Sequence, residues 1–282
     1  MELPPLSRAV STPDLAAIRA RLAALAPPAP HGGIAFGDVR VDACLPACGL
    51  RLGALHEIAA GGIEAELGAL AAAFAACWLA RLADPRPVFW IAPDRGDGAS
   101  LADLNPAGLL AYGLDPARLV LVRTEGDGGG RGTLAAAEAA LRGGAAAAVV
   151  AEVGRVGRLA ARRLHLACLA HGSTGFLLRR FPHGGKSERD AADAAAVATR
   201  WHLAPAPSLP EGSALAGGHI ASGGRAPGAP RWVVELRHAS GGRPGAWLME
   251  AENADRAAAV PLRVVAGLAD AAPAPRRKLR AG

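Results

Sequence analysis

Short apolar strands alternate with helical segments along much of this 282-residue chain, and that alternation is the feature that most constrains its fold. Strands are predicted at residues 55–58, 86–91, 118–123, 146–153 and 175–179. Apolar residues at helical spacing lie between them, at residues 64–83, 106–112, 133–142 and 157–171. Because repeated strand–helix–strand units form a parallel sheet covered on both faces, the pattern predicts an α/β fold.

The pattern changes beyond residue 190, where three more strands are predicted. One covers residues 195–203, and residues 231–238 and 246–251 form a pair joined by a Gly-rich turn. Residues 204–230 contain several Pro, Gly and Ser residues, which is typical of a flexible loop. We therefore expect a mainly parallel, twisted sheet that ends in an antiparallel C-terminal strand pair.

The two ends of the chain are predicted to lie apart from this core. Residues 12–26 form an amphipathic helix, and a Pro/Gly segment separates it from the rest of the chain. The C-terminal tail is rich in Pro and then basic, and we expect it to be disordered. These features divide the chain into an N-terminal helix at residues 1–30, a core at residues 31–265 and a basic tail at residues 266–282.

Composition narrows the classes of protein to which the chain can belong. Apolar residues make up 51% of it, which is ample for a packed core, but the longest apolar run is shorter than the roughly 20 residues that span a bilayer. No signal peptide is recognised, so a cytoplasmic protein is expected. The four cysteines match no zinc-site spacing, and no metal is predicted. The net charge of +6 favours contact with nucleic acid or an acidic partner.

The Gly-rich turn after the first core strand resembles a phosphate-binding loop that has lost its chemistry. Such a loop needs a Lys for the phosphates and a Ser or Thr for Mg²⁺, but Glu66 and Leu67 stand at those positions, after Ala60, Gly61 and Gly62. At an effective dielectric of about 20 and a separation of about 4 Å, each unit of charge is worth on the order of 4 kcal/mol. Replacing Lys by Glu changes the local charge by two units, so no nucleotide cofactor is predicted.

Several segments carry a resemblance to a known family. They are residues 49–58 (GLRLGALHEI), 111–122 (AYGLDPARLVLV), 172–179 (GSTGFLLR), 198–201 (ATRW), and 230–236 (PRWVVEL) with 242–245 (GRPG). From residue 42 to residue 180 the chain resembles the core of RecA, and more closely the ImuA family, which is RecA-like and related to SulA. The resemblance implies a RecA-like core for the predicted sheet.

The chain departs from the RecA pattern at its acidic residues. Ala151 stands where RecA-like proteins carry an Asp on the magnesium-associated strand, and Glu152 lies one position along, on the other face of the strand. Asp94 follows another strand, at the place of the RecA catalytic Glu, but by itself it has no phosphate to act on. We therefore expect a pseudo-ATPase without catalytic residues.

The resemblance implies a role in the SOS response to DNA damage. The chain would act as a non-catalytic adaptor in mutagenic translesion DNA synthesis, linking an ImuB-like protein, an error-prone C-family DNA polymerase and RecA. One alternative is a RecA-like NTPase with unconventional nucleotide binding, in which Glu57, Asp94 and Glu152 gather a metal ion. The other is a cell-division inhibitor similar to SulA.

Basic residues after the last core strand and in the tail are the candidate contacts to DNA or to a partner. In RecA the first of these places leads into a DNA-binding loop, whereas a solvated basic loop is the alternative there. The candidates are Arg179, Arg180, Lys186, Arg189, Arg276, Arg277, Lys278 and Arg280.

Overall fold

A mixed sheet of nine strands forms the centre of the structure. The computed structural model describes residues 32–60, 64–94, 104–125, 130–180, 196–208, 215–216, 219–220, 229–251 and 262–268. None of the helices in these ranges has the length and apolarity that a bilayer crossing requires. The predicted helix at residues 12–26 lies outside the described residues.

The strands are β1 (Gly33–Ile34), β2 (Leu50–Arg51), β3 (Leu55–Ala60), β4 (Val88–Pro93), β5 (Leu119–Thr124), β6 (Ala148–Val153), β7 (Thr174–Arg179), β8 (Thr199–Ala206), β9 (Leu215–Ala216), β10 (His219–Ile220), β11 (Arg231–Ala239), β12 (Gly245–Ala251) and β13 (Leu262–Gly267). The helices are α1 (Val39–Asp42), α2 (Glu64–Leu79), α3 (Pro106–Ala111), α4 (Arg131–Arg142) and α5 (Arg158–His171). The pairs β1–β2 and β9–β10 lie outside the main sheet.

The order of strands in the main sheet is β5–β4–β6–β7–β3–β8–β11–β12–β13. The strands from β5 to β8 run parallel to one another. From β8 onward each neighbour is antiparallel. The predicted α/β fold, with a mainly parallel sheet and antiparallel C-terminal strands, is confirmed.

The C-terminal part of the sheet is larger than the sequence indicated. Strand β13 is absent from the prediction, and the domain boundary placed at residue 265 falls inside it. The strand predicted at residues 195–203 instead covers Thr199–Ala206 and so extends into the segment predicted as a loop. Long-range pairing with β3 and β11 sets these limits, and local composition does not record it.

Helices cover both faces of the parallel part of the sheet and create two cores. On one face, Phe74 and Trp78 of α2 pack with Trp201 of β8, at ring-centroid distances of 5.3 and 5.9 Å. On the other face, α4 packs through Leu141 and α5 through Leu164 against β4, β6 and β7. The apolar spacing that predicted these helices therefore marks the residues that they bury.

Capping residues mark the ends of two helices. Asn105 caps α3, because its side-chain oxygen accepts a hydrogen bond from the backbone N–H of Ala107 at 2.9 Å, and Pro106 opens the helix. Helix α5 ends at His171, and the next residue, Gly172, has a φ of 70° that glycine adopts at little cost.

A buried hydrogen-bonded chain ties β3 to β2 and β8. The Nε2–H of His56 donates to the carbonyl oxygen of Arg51 at 2.8 Å, and its Nδ1 accepts from the hydroxyl of Thr199 at 2.8 Å. The Thr199 hydroxyl in turn accepts from Nε1–H of Trp201 at 2.9 Å. This direction of donation requires a neutral imidazole. Burial in the core lowers the pKa of His56 to about 4, which keeps the ring neutral.

Acidification is expected to destabilise the fold through His56. The unfolded chain takes up a proton on this ring near pH 6.5, whereas the folded protein does so only near pH 4. The free energy of unfolding should therefore fall as the pH is lowered between those values, by up to about 1.4 kcal/mol per pH unit. Chemical denaturation at several pH values measures the slope, and the variant His56→Gln should show a flatter one. Equal slopes would contradict the expectation.

Candidate functional site

The strand and the helix on either side of the Gly-rich segment are both present. β3 ends at Ala60, at the carboxyl edge of the parallel strands, and α2 begins at Glu64, as the sequence predicted. Gly61 and Gly62 lie outside the described residues. Glu66 and Leu67 belong to the first turns of α2, but their side chains are not described, so the loss of phosphate binding at Glu66 stays a prediction.

Glu152, near the end of β6, is buried, and both of its carboxylate oxygens accept hydrogen bonds. Its side chain is 4% exposed and is held by the guanidinium of Arg180, which donates from Nη2 to Oε1 at 3.0 Å and from Nε to Oε2 at 3.1 Å. The indole Nε1–H of Trp90 donates to Oε1 at 2.8 Å. Two-point contact of this kind is the strong geometry for an arginine–carboxylate pair.

Glu57, in the middle of β3, is neutralised in the same way. Arg200 on β8 donates from Nε to Oε1 at 3.0 Å, and Nη1 of Arg179 on β7 lies 3.9 Å from Oε2. All three side chains are at least four-fifths buried. The carboxylate therefore bridges the two strands that flank β3.

The two acids face opposite sides of the sheet. Side chains alternate along a strand. Glu152 shares a face with Val150 in the α2 core, whereas Glu57 shares a face with Leu55 in the core under α5. The face predicted for Glu152 relative to Ala151 is thus confirmed.

The structure does not bring Glu57, Asp94 and Glu152 together as a metal site. In the described part of the chain, no three His, Cys, Asp or Glu side chains are grouped in a way that could hold a metal ion. Of the four cysteines, Cys48 is exposed and the other three are buried. Burial raises the pKa of the Cys77 and Cys168 thiols to about 12.

Arg179 and Arg180 are the only predicted contact residues that fall in the described part of the chain. They are 6% and 8% exposed, and both pair with buried acids. Contact with DNA or a partner stays a prediction for them. The other candidates, Lys186, Arg189, Arg276, Arg277, Lys278 and Arg280, lie outside the described residues.

One group of basic residues was not singled out from the sequence. Arg158, Arg162 and His165 of α5 line a cavity of about 440 Å³ together with Arg51 and residues 196–198. Positions three and four apart share one face of a helix, so the spacing within α5 was the available signal. Arg51 is distant from α5 in the sequence, so no local pattern indicates that it lines the same cavity. We call this site the basic cavity.

Together these features define an α/β protein with a mixed sheet, in which arginines neutralise the acidic residues of the central strands. No protein-family profile matches the chain. It is similar to Protein ImuA from two strains of Caulobacter vibrioides, with 38% identity over 241 residues, covering 84% of this chain and 90% of each relative. The chain belongs to the ImuA family, which confirms the resemblance found in the sequence.

A solved structure, SulA from Pseudomonas aeruginosa, also shows some likeness. The match has a TM-score of 0.36 and 23% sequence identity, and it covers 45% of this chain and 98% of that one. A likeness at this level does not establish a shared fold.

Removing the Glu152 carboxylate should be costly. The variant Glu152→Ala leaves the buried Arg180 guanidinium and the Trp90 indole N–H without this acceptor, and breaking a buried pair in this way lowers the free energy of unfolding by about 3–5 kcal/mol. The control is Glu138→Ala, which removes the partner of the exposed Arg142 and Arg163 and should cost no more than about 1 kcal/mol. Urea denaturation measures both, and similar losses would contradict the expectation.

Proposed function

We propose that this chain is a non-catalytic adaptor of damage-induced mutagenic DNA synthesis. Membership of the ImuA family supports a link to DNA damage and mutagenesis. In the proposed role the chain joins an ImuB-like protein to an error-prone C-family DNA polymerase, with RecA as a further partner. The adaptor has a RecA-like core and works in the cytoplasm.

The edge strand β5 is the observation that carries the adaptor role. Within the described residues β5 pairs only with β4, and no described strand pairs with the backbone groups along its other edge. Val120 and Leu121 on this strand are 40% and 49% exposed, and Leu110 on α3 is 59% exposed. An open edge with apolar side chains suits a partner that docks by adding a strand to the sheet.

The pairing of the acids supports a pseudo-ATPase. Magnesium-dependent hydrolysis requires carboxylates that can reach the metal and the attacking water. In this chain Glu152 is occupied by Arg180 and Trp90, and Glu57 is occupied by Arg179 and Arg200. Both buried acids are therefore taken up by arginines, and the replacement of the usual Lys by Glu66 in the sequence further supports the pseudo-ATPase proposal.

Docking at the edge strand can be tested by a pull-down with a purified ImuB-like protein and with RecA. We expect the full chain to capture at least one of them. The variant Leu121→Lys should weaken capture about tenfold or more, because a charged side chain opposes strand addition at an edge. The control Leu159→Lys makes the same change at a leucine on α5 that is 72% exposed, and it should bind normally. Failure of the full chain to bind either protein would defeat the adaptor proposal.

Nucleotide binding can be tested separately by titration calorimetry with Mg-ATP. We expect no binding at micromolar affinity, because a carboxylate replaces the phosphate-binding cation at residue 66. A micromolar dissociation constant would overturn the pseudo-ATPase assignment and favour the NTPase alternative.

A further inference from the structure

The basic cavity carries positive charge that the described residues do not neutralise. Its basic lining consists of three arginines, Arg51, Arg158 and Arg162, together with His165, and none of its described lining residues is acidic. Many other arginines in the described part of the chain are paired, as Arg180 is with Glu152. No ion pair is formed by Arg51, Arg158 or Arg162 with any described carboxylate.

The pKa of His165 lies below its ordinary value. Burial, and then the charge of Arg51, lowers the pKa of the His165 ring. Its Nδ1 atom is shielded from solvent and has no hydrogen-bond partner among the described residues. The cavity therefore brings together guanidinium groups that form no ion pair with a described carboxylate, and an anion would supply the missing negative charge.

The geometry brings the basic groups together from two elements. Arg158 and Arg162 stand one turn apart on α5, with Cβ atoms about 5–6 Å apart as is usual at this spacing. Arg51 approaches from the end of β2. Residues 196–198 and Leu166 add small or apolar surface between them. A guanidinium group can hold phosphate oxygens through two parallel hydrogen bonds, so a cavity lined by three of these groups suits a phosphate-containing ligand.

We propose that the basic cavity binds the phosphate backbone of a single nucleic-acid strand. A volume of about 440 Å³ accommodates part of one strand but not the width of a duplex. The described lining contains no Phe, Tyr or Trp on which a base could stack, so contact is made mainly with phosphates and is independent of sequence. This binding role goes beyond the adaptor function and does not depend on it, because it rests on the charge and shape of the cavity alone.

The site differs from the places where the sequence predicted contact. Arg179 and Arg180 already hold buried acids, whereas Arg158 and Arg162 are exposed and form no ion pair with a carboxylate in the described part of the chain. Exposed arginines can also be replaced without disturbing either core. This makes α5 a clean place for substitutions.

The test is binding of fluorescently labelled oligothymidylate, followed by anisotropy at roughly 50 to 200 mM salt. The full chain is used, so that the basic tail is the same in every sample. The double variant Arg158→Gln/Arg162→Gln should bind about tenfold more weakly at the low end of this range. The slope of log affinity against log salt should fall by about 1.4, since each lost phosphate contact on a single strand removes about 0.7.

The matched control is Arg142→Gln/Arg163→Gln, which removes the same charge from α4 and α5 at arginines that pair with Glu138. It should bind within about twofold of the unchanged protein. Equal losses in the two double variants would overturn the proposal, since only net charge would then matter. Binding of polyglutamate is measured with the same variants. If the cavity variant lost polyglutamate binding but kept DNA binding, the proposal would be overturned, because the cavity would then be a site for an acidic protein segment.

Two further measurements separate this proposal from others. The affinity for a duplex of the same length should be the same in the cavity variant and in the matched control. If the cavity variant lost as much affinity for the duplex as for the single strand, the single-strand assignment would be overturned. Capture of the ImuB-like protein should be unchanged in the cavity variant. The adaptor role and the nucleic-acid site can therefore fail independently.

Discussion

Two buried carboxylates hold the middle of the sheet together. Glu57 joins β3 to its neighbours through Arg179 and Arg200, and Glu152 joins β6 to β4 and to the end of β7. The two acids face opposite sides, so five adjacent strands are linked from both faces. A buried charge is tolerated only when it is paired in this way. These side chains therefore have a structural role in the sheet.

The fold was largely readable from the sequence because the apolar pattern is local. Helical spacing identified α2, α4 and α5, and the apolar runs identified β3 to β7, with ends displaced by a few residues. β13 was not predicted, because its six residues are stabilised by pairing with β12. The sequence of one short segment does not show which strand it will pair with. The same reason explains the displaced limits of β8.

The candidate site was less predictable, since charge pairing is a property of the folded chain. Arg179 is the last residue of β7 and Arg180 follows it, and in the sequence they resembled the start of a basic loop. Their carboxylate partners lie on other strands, so no local pattern indicated that they are buried. The two arginines at i and i+4 on α5 could have been found from helical spacing, but only the structure shows that none of the described residues lining the cavity with them is acidic.

The cysteines have a practical consequence. Thiol reagents attack the thiolate, and burial keeps Cys77 and Cys168 protonated and out of reach, while Cys44 is covered as well. Cys48 stands exposed in the short turn before β2, so a maleimide dye should attach there without any engineered change. The chain thus offers a single exposed thiol as an attachment point for fluorescence distance measurements.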